Sequence, residues 1–203
     1  MNFIDFEGKK IAPSKIVCVG RNYVEHIKEL NNEIPENMVL FNKPNSAISQ
    51  EFKYFDGVRF EGELSFLIQD GQICGVGFGF DLTNVKIQEY LKSKGLPWER
   101  AKAFDGSAVF SEFVSISKEQ IDKLSFRLYQ KSERLAQEAD FELMIYKPQE
   151  ILDEVKSFMS LEDGDIIMSG TPEGVDFYQK NEEFLVKLLL DGNLLIEHSW
   201  RVI

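Results

Sequence analysis

Val58-Arg59-Phe60-Glu61-Gly62-Glu63-Leu64-Ser65-Phe66-Leu67-Ile68 alternates almost residue by residue: Val58, Phe60, Gly62, Leu64, Phe66 and Ile68 fall on one side, Arg59, Glu61, Glu63 and Ser65 on the other. A period of two is that of a β-strand with one face in the core and one face in solvent. A second alternation follows, Val76, Phe78 and Phe80 against Gly75, Gly77, Gly79 and Asp81, so one face of the next strand is bare backbone leading to a carboxylate. The missing side chains there predict room for a ligand. Outward from this pair, strands are expected at 15–20, 125–129, 141–146, 165–169 and 184–190. The last is joined to 193–198 through Asp191-Gly192, a hairpin signal. Helices are expected at 24–30, at 83–94 before Gly95 and Pro97, and after Pro148, which suits a first helical turn. Many strands, few helices and no regular strand–helix alternation predict an α+β fold with a mostly antiparallel or mixed sheet, and exclude a doubly wound parallel one.

The chain has 203 residues, 43% hydrophobic and 28% charged, with 17 Phe. At about 150 residues per domain this predicts one domain over 1–203, and no repeat or Pro/Gly/Ser-rich linker divides it. A chain of this size buries roughly 70% of its unfolded surface, which excludes disordered and collagen-like classes. Acidic residues outnumber basic ones by 34 to 23, for a net charge of −11. Such a field repels nucleic acid and anionic membranes and draws in metal cations. Cys18 and Cys74 lie in apolar runs without CxxC spacing and read as free thiols. With no basic-plus-apolar leader at the N-terminus and no apolar run near ~18 residues, the expected location is cytoplasmic.

Glu61 and Glu63, two apart on a strand, leave the same face about 6.6 Å apart. Alone, that spacing also describes a solvated strand face. Asp81 supplies a third acid at the end of the Gly-lined strand. Three carboxylates that converge repel until one turns neutral or a cation binds, and an all-oxygen set favours Mg²⁺ or Mn²⁺. His26 stands three residues before Glu29, so on a helix the two share a face. A carboxylate in reach orients an imidazole as a general base, although the same spacing serves a surface pair. His198, beside Trp200, reads as structural. Lys43, ahead of Pro44, and Lys102, between Ala101 and Ala103, are either snorkelling surface residues or cations aimed at an anionic substrate. Residues 169–174, Ser-Gly-Thr-Pro-Glu-Gly, form a turn with exposed N–H groups and a hydroxyl, and 31–36 is a polar connection that ends the first helix.

Six ordered blocks carry a wider pattern. They are Val19-Gly20-Arg21-Asn22-Tyr23 with His26 and Glu29; Leu40-Phe41 with Lys43-Pro44; Glu61-x-Glu63; Asp81-Leu82-Thr83 with Gln88; Gly95-Leu96-Pro97-Trp98 with Ala101-Lys102; and 161–167 leading to Gly170-Thr171-Pro172. Together they resemble the fumarylacetoacetate hydrolase family, most closely its short acylpyruvase-like branch. The resemblance implies a mixed β-sandwich or roll, a homodimer, and Mg²⁺ or Mn²⁺ on Glu61, Glu63 and Asp81. The implied substrates are small β-diketo acids, with no nucleic-acid or membrane partner. It further implies a lid over 22–36 that brings His26 and Glu29 to a water, Lys102 as positive charge beside a developing enolate, and Arg21, Lys43, Gln88 and Thr171 as substrate anchors. The implied reaction is hydrolysis of a C–C bond in acylpyruvate- or fumarylpyruvate-type acids. The alternative on the same metal site is decarboxylation of oxaloacetate, or isomerisation of 2-hydroxyhepta-2,4-diene-1,7-dioate. The family's usual Arg shortly after Asp-x-Thr is absent; the chain has Asn84-Val85-Lys86 there, with Lys86 about 100° further round a helix. Val109 and Asp176 also replace the residues usual at their positions.

Overall fold

In the computed structural model, which describes residues 1–30, 33–131 and 133–203, the alternating run breaks at Glu61 and its two halves join different sheets. A short hairpin of β1 (Ile4–Phe6) and β2 (Lys9–Ile11) precedes β3 (Lys15–Gly20), helix α1 (Val24–Glu29), β4 (Val39–Pro44) and β5 (Ile48–Ser49). Next come β6 (Val58–Phe60), β7 (Gly62–Gln69), β8 (Gln72–Asp81) and β9 (Thr83–Asn84), then helices α2 (Val85–Ser93) and α3 (Glu99–Lys102). β10 (Ala108–Phe110), β11 (Val114–Ser115), β12 (Leu124–Gln130) and β13 (Arg134–Asp140) lead to helix α4 (Pro148–Phe158). β14 (Ile166–Met168), β15 (Asp176–Phe177), β16 (Glu183–Leu190) and β17 (Asn193–Arg201) complete the order.

The largest sheet runs β4-β3-β14-β7-β8-β10-β5, with β11 also paired to β8. β3 and β14 are parallel, as are β10 and β5, and the other neighbours are antiparallel, so the sheet is mixed as expected. A second, antiparallel sheet runs β13-β12-β16-β17, and β15-β6-β9 forms a third. Phenylalanines join the first two: Phe78 meets Phe126 at 5.1 Å and Phe80 meets Phe184 at 5.3 Å, both edge to face. These rings, with Leu64, Phe66 and Trp200, belong to the main core.

Three expectations change. The acidic side of the alternating run is not solvated: Glu61, Glu63 and Ser65 are all buried. β7 lies between β14 and β8, and the far face of the sheet is covered by a second apolar cluster containing Leu67, Phe113 and Met168. The bare face of β8 is not room for a ligand either. A Cβ on Gly79 would lie 2.6 Å from the Phe110 ring and one on Gly77 would lie 3.0 Å from Phe113, so aromatic rings fill the space the glycines leave. Finally, 141–146 is not a strand. The strand is β13 before it, and Phe141–Leu143 is a single 3-10 turn capped by the Asp140 side chain, which accepts from the Leu143 N–H.

Elsewhere the local rules hold. Pro148 opens α4, Asn84 caps α2 by accepting the Ile87 N–H, and both cysteines are free. Of the expected lid segment, Asn31 and Asn32 lie outside the described residues. Among the described residues no helix is long and apolar enough to cross a membrane.

Candidate active site

The break at Glu61 builds the site. Where β7 and β8 pair, the Asp81 N–H donates to the Glu61 carbonyl at 2.8 Å, setting Asp81 across from the first glutamate. Glu63 leaves the strand on the same face as Glu61, two residues on. One carboxylate oxygen from each of Glu61, Glu63 and Asp81 lies within 4.8 Å of the others, and all three residues are buried.

Positive charge surrounds two of these acids. Lys102, at the end of α3, donates to Glu61 Oε2 at 2.8 Å and to Asp81 Oδ2 at 2.5 Å. Arg59 Nε donates to Glu61 Oε1 at 3.0 Å, and Thr83 Oγ1 donates to the same oxygen at 3.0 Å. Burial opposes ionisation of Glu61, but Lys102 and Arg59 more than offset it and hold the carboxyl well below its usual range. Burial likewise disfavours charge on Lys102, yet Asp81 and Glu61 keep it protonated far into alkali. Among the described residues Glu63 receives only the Gly170 N–H, at 2.8 Å; burial and the Asp81 charge push its carboxyl well above the usual range. A converging all-carboxylate set in which Glu63 has no cation bonded to it suits a hard divalent cation, which removes the repulsion without protonating an acid.

His26 is buried on α1. Its Nδ1 lies 3.2 Å from Glu29 Oε2, and Glu29 Oε1 accepts the Gly174 N–H at 3.1 Å. Desolvation is the largest influence on the imidazole and lowers its pKa, keeping the ring neutral. Arg21, His26, Gln88, Lys102 and Thr171 line one cavity with the three acids. Thr171 is positioned from behind by Gln137, whose Nε2 donates to Thr171 Oγ1 at 2.8 Å while its Oε1 accepts the Gly62 N–H at 2.9 Å.

Two residues read from the sequence stand off the cavity wall. Glu29 reaches it only through His26. Lys43, expected as a substrate anchor, is completely buried beneath Asp81. Its ammonium donates to the Ser107 carbonyl and hydroxyl, both at 3.0 Å, and to the Lys102 carbonyl. It lies 2.8 Å from Asp81 Oδ1, an ion-pair contact without hydrogen-bond alignment. Packed on these partners, it has no path to a ligand.

Arg59, Lys92 and Trp98 also line the cavity, and the sequence assigned none of them a role in the site. Arg59 shares the strand face of Glu61, and Lys92 lies one helical turn after Gln88, so both spacings held the signal. Lys86, weighed as a substitute for the missing arginine, is exposed on α2, and Lys92 is the lysine of that helix that lines the cavity. Its Nζ lies 5.2 Å from the Trp98 ring centre, and burial together with the Arg21 and Arg59 charges lowers its pKa to about 8.

Three converging acids, a lysine across them and a buried imidazole at their edge define an enzyme built around a divalent cation. The fumarylacetoacetate (FAA) hydrolase C-terminal family pattern matches residues 15–188. The chain belongs to the fumarylacetoacetate hydrolase family. It is 34% identical over 203 residues to the oxaloacetate tautomerase YcgM of Escherichia coli, covering 90% of each chain. It is 36% identical over 189 residues to the mitochondrial oxaloacetate tautomerase FAHD1 of Bos taurus, covering 83% of this chain and 84% of that one. A solved structure of a fumarylacetoacetate isomerase/hydrolase candidate from Oleispira antarctica superposes over the whole of both chains with a TM-score of 0.92 at 34% identity. The fumarylpyruvate hydrolase of Pseudomonas aeruginosa, solved with Mn²⁺ and pyruvate, superposes with a TM-score of 0.87 at 26% identity, over 99% of this chain and 95% of that one.

Proposed function

We propose that the protein is a divalent-metal-dependent enzyme that moves a proton on small 2-oxo acids, interconverting keto and enol forms of an oxaloacetate-like substrate. The observation that carries this reading is the buried imidazole of His26, tied to Glu29 and facing the same cavity as the three acids and Lys102. The oxaloacetate tautomerases among its relatives support it. Glu61, Glu63 and Asp81 would hold Mg²⁺ or Mn²⁺, which supplies Lewis-acid polarisation and an orienting point for a 2-oxo carboxylate.

The chain's own groups do the rest. With Nδ1–H directed at Glu29, the tautomer assigned from the bonding network leaves Nε2 as acceptor. Nε2 takes the proton from the carbon next to the carbonyl and delivers it to the carbonyl oxygen to give the enol, the reverse sequence giving the keto form, while Glu29 stabilises the transient imidazolium. The Lys102 ammonium supplies positive charge where negative charge develops on the substrate oxygen. Thr171, fixed by Gln137, and Gln88 donate to the substrate's oxygens.

Hydrolysis of a C–C bond in acylpyruvates is the second reading. The His26–Glu29 pair favours it, because the same base can activate a water, and so does the likeness to a fumarylpyruvate hydrolase. The test follows enol absorbance of oxaloacetate and of acetylpyruvate with Mg²⁺ or Mn²⁺, with chelator, and in His26→Ala. The expected result is metal-dependent enol-to-keto conversion of oxaloacetate that falls ~10²- to 10⁴-fold in the variant. Metal-dependent release of acetate from acetylpyruvate, lost in the same variant, would replace tautomerisation with hydrolysis.

A further inference from the structure

The cavity holds more cationic side chains than its three acids can use. Lys102 is committed to Glu61 and Asp81. Arg59 reaches Glu61 through Nε alone, and among the described residues the two terminal nitrogens of its guanidinium make no hydrogen bond. Lys92 has no carboxylate partner among the described residues; its one polar contact is the Trp98 ring face. Arg21 lines the same wall. Lys92 and Arg59 are half-buried like charges that repel one another, and Lys92 gives up hydration that no carboxylate among the described residues restores; burial and the Arg21 and Arg59 charges accordingly lower the Lys92 pKa. A divalent cation on the three acids would enlarge the excess of positive charge.

We propose that Lys92, with Arg59 and Arg21, forms a second anion subsite that takes the distal carboxylate of a dianionic substrate. The assignment rests on the functional reading above, in which the 2-oxo carboxylate end is held near the acids, and it narrows the substrate class to dicarboxylic 2-oxo acids. A carboxylate there accepts from the Lys92 ammonium and from the planar fork of Arg59, charge-assisted bonds that an uncharged acyl end cannot make. Trp98 fixes the lysine by presenting its ring face to the ammonium. Position 85, a valine, contributes no charge, so Lys92 is the helical cation on this wall.

The experiment is calorimetric titration of the Mn²⁺-loaded protein with (S)-malate and with (S)-2-hydroxybutanoate, inert ligands that differ only in a distal carboxylate against a methyl. Wild type is expected to bind malate at least about tenfold more tightly. Lys92→Gln should remove most of that preference by weakening malate alone, and Lys92→Arg should restore it. Equal affinity of wild type for the two ligands, or equal weakening of both in Lys92→Gln, overturns the subsite. If neither ligand's binding depends on Mn²⁺, the functional reading falls instead, while a surviving Lys92-dependent preference for malate would still support the subsite.

Discussion

The Lys43 ammonium lies 2.8 Å from Asp81 Oδ1, and neither side chain reaches solvent. A buried charge whose partner is removed keeps its desolvation penalty without compensation. Lys43→Met should therefore cost about 3–5 kcal/mol of stability, a fall of roughly 10 °C in melting temperature for a chain of this size. Because the variant leaves the three acids with less opposing charge, added Mn²⁺ should raise its melting temperature more than it raises that of wild type. Thermal scans with and without the ion read both effects.

The acids themselves invite a second measurement. A cation that binds only the folded chain adds ~2.7 kcal/mol at a hundred times its dissociation constant, so Mn²⁺ should stabilise the wild type and chelator should reverse it. Glu63→Gln removes one of three repelling carboxylates and keeps an oxygen for the Gly170 N–H. Without metal this variant should melt no lower than wild type, and it should lose the response to Mn²⁺. A variant that melts lower and still responds would remove Glu63 from the cation site.

His26 sets the acid side of the pH dependence. Burial lowers its pKa below the ordinary value, which is about 6.5, so the folded chain resists a proton that the unfolded chain accepts. Its share of stability is intact above about pH 6.5 and falls as the pH drops below that value. The neutral base likewise survives below it. The acid limb of kcat/KM should have its midpoint under about pH 6.5 and should vanish in His26→Asn; a limb at or above that value would show an imidazole that is not desolvated.

Gly79 tests the packing of the bare strand face. Gly79→Ala would press a methyl into the Phe110 ring and the Ser65 hydroxyl, at 2.6 and 2.7 Å. Overpacking of this kind costs about 1–3 kcal/mol. The variant should melt lower while 2-hydroxybutanoate affinity stays as in wild type. Weaker ligand binding at unchanged stability would mean that this face borders ligand after all.

What the sequence disclosed follows from how strongly each residue type constrains its surroundings. Glu61, Glu63 and Asp81 were legible because period-two spacing fixes which side chains share a face, and six ordered blocks told a buried acidic face from a solvated one. β13 was not, because the residues it turns inward are Gln137 and Ala139, which carry no apolar period. Phe141, Leu143 and Ile145 do alternate, but Asp140 ahead of them caps a turn and ends the strand. Lys43 and Lys92 show the limit for single cations. One is sealed behind a carboxylate and the other stands on a cavity wall, and a lysine in an amphipathic stretch reads the same in both places.

Glu29 divides its carboxylate between two neighbours, giving one oxygen to the His26 ring and the other to the backbone amide of Gly174, three residues beyond Thr171. A single side chain thus joins the helix that carries the base to the turn that carries a substrate donor. Because His26 and Glu29 stand on the same helix, a displacement of α1 that frees the Gly174 amide would carry base and acid away from the turn together. The pairing of the base with its acid is thus internal to one helix, whereas the distance from the base to Thr171 depends on the hydrogen bond to Gly174.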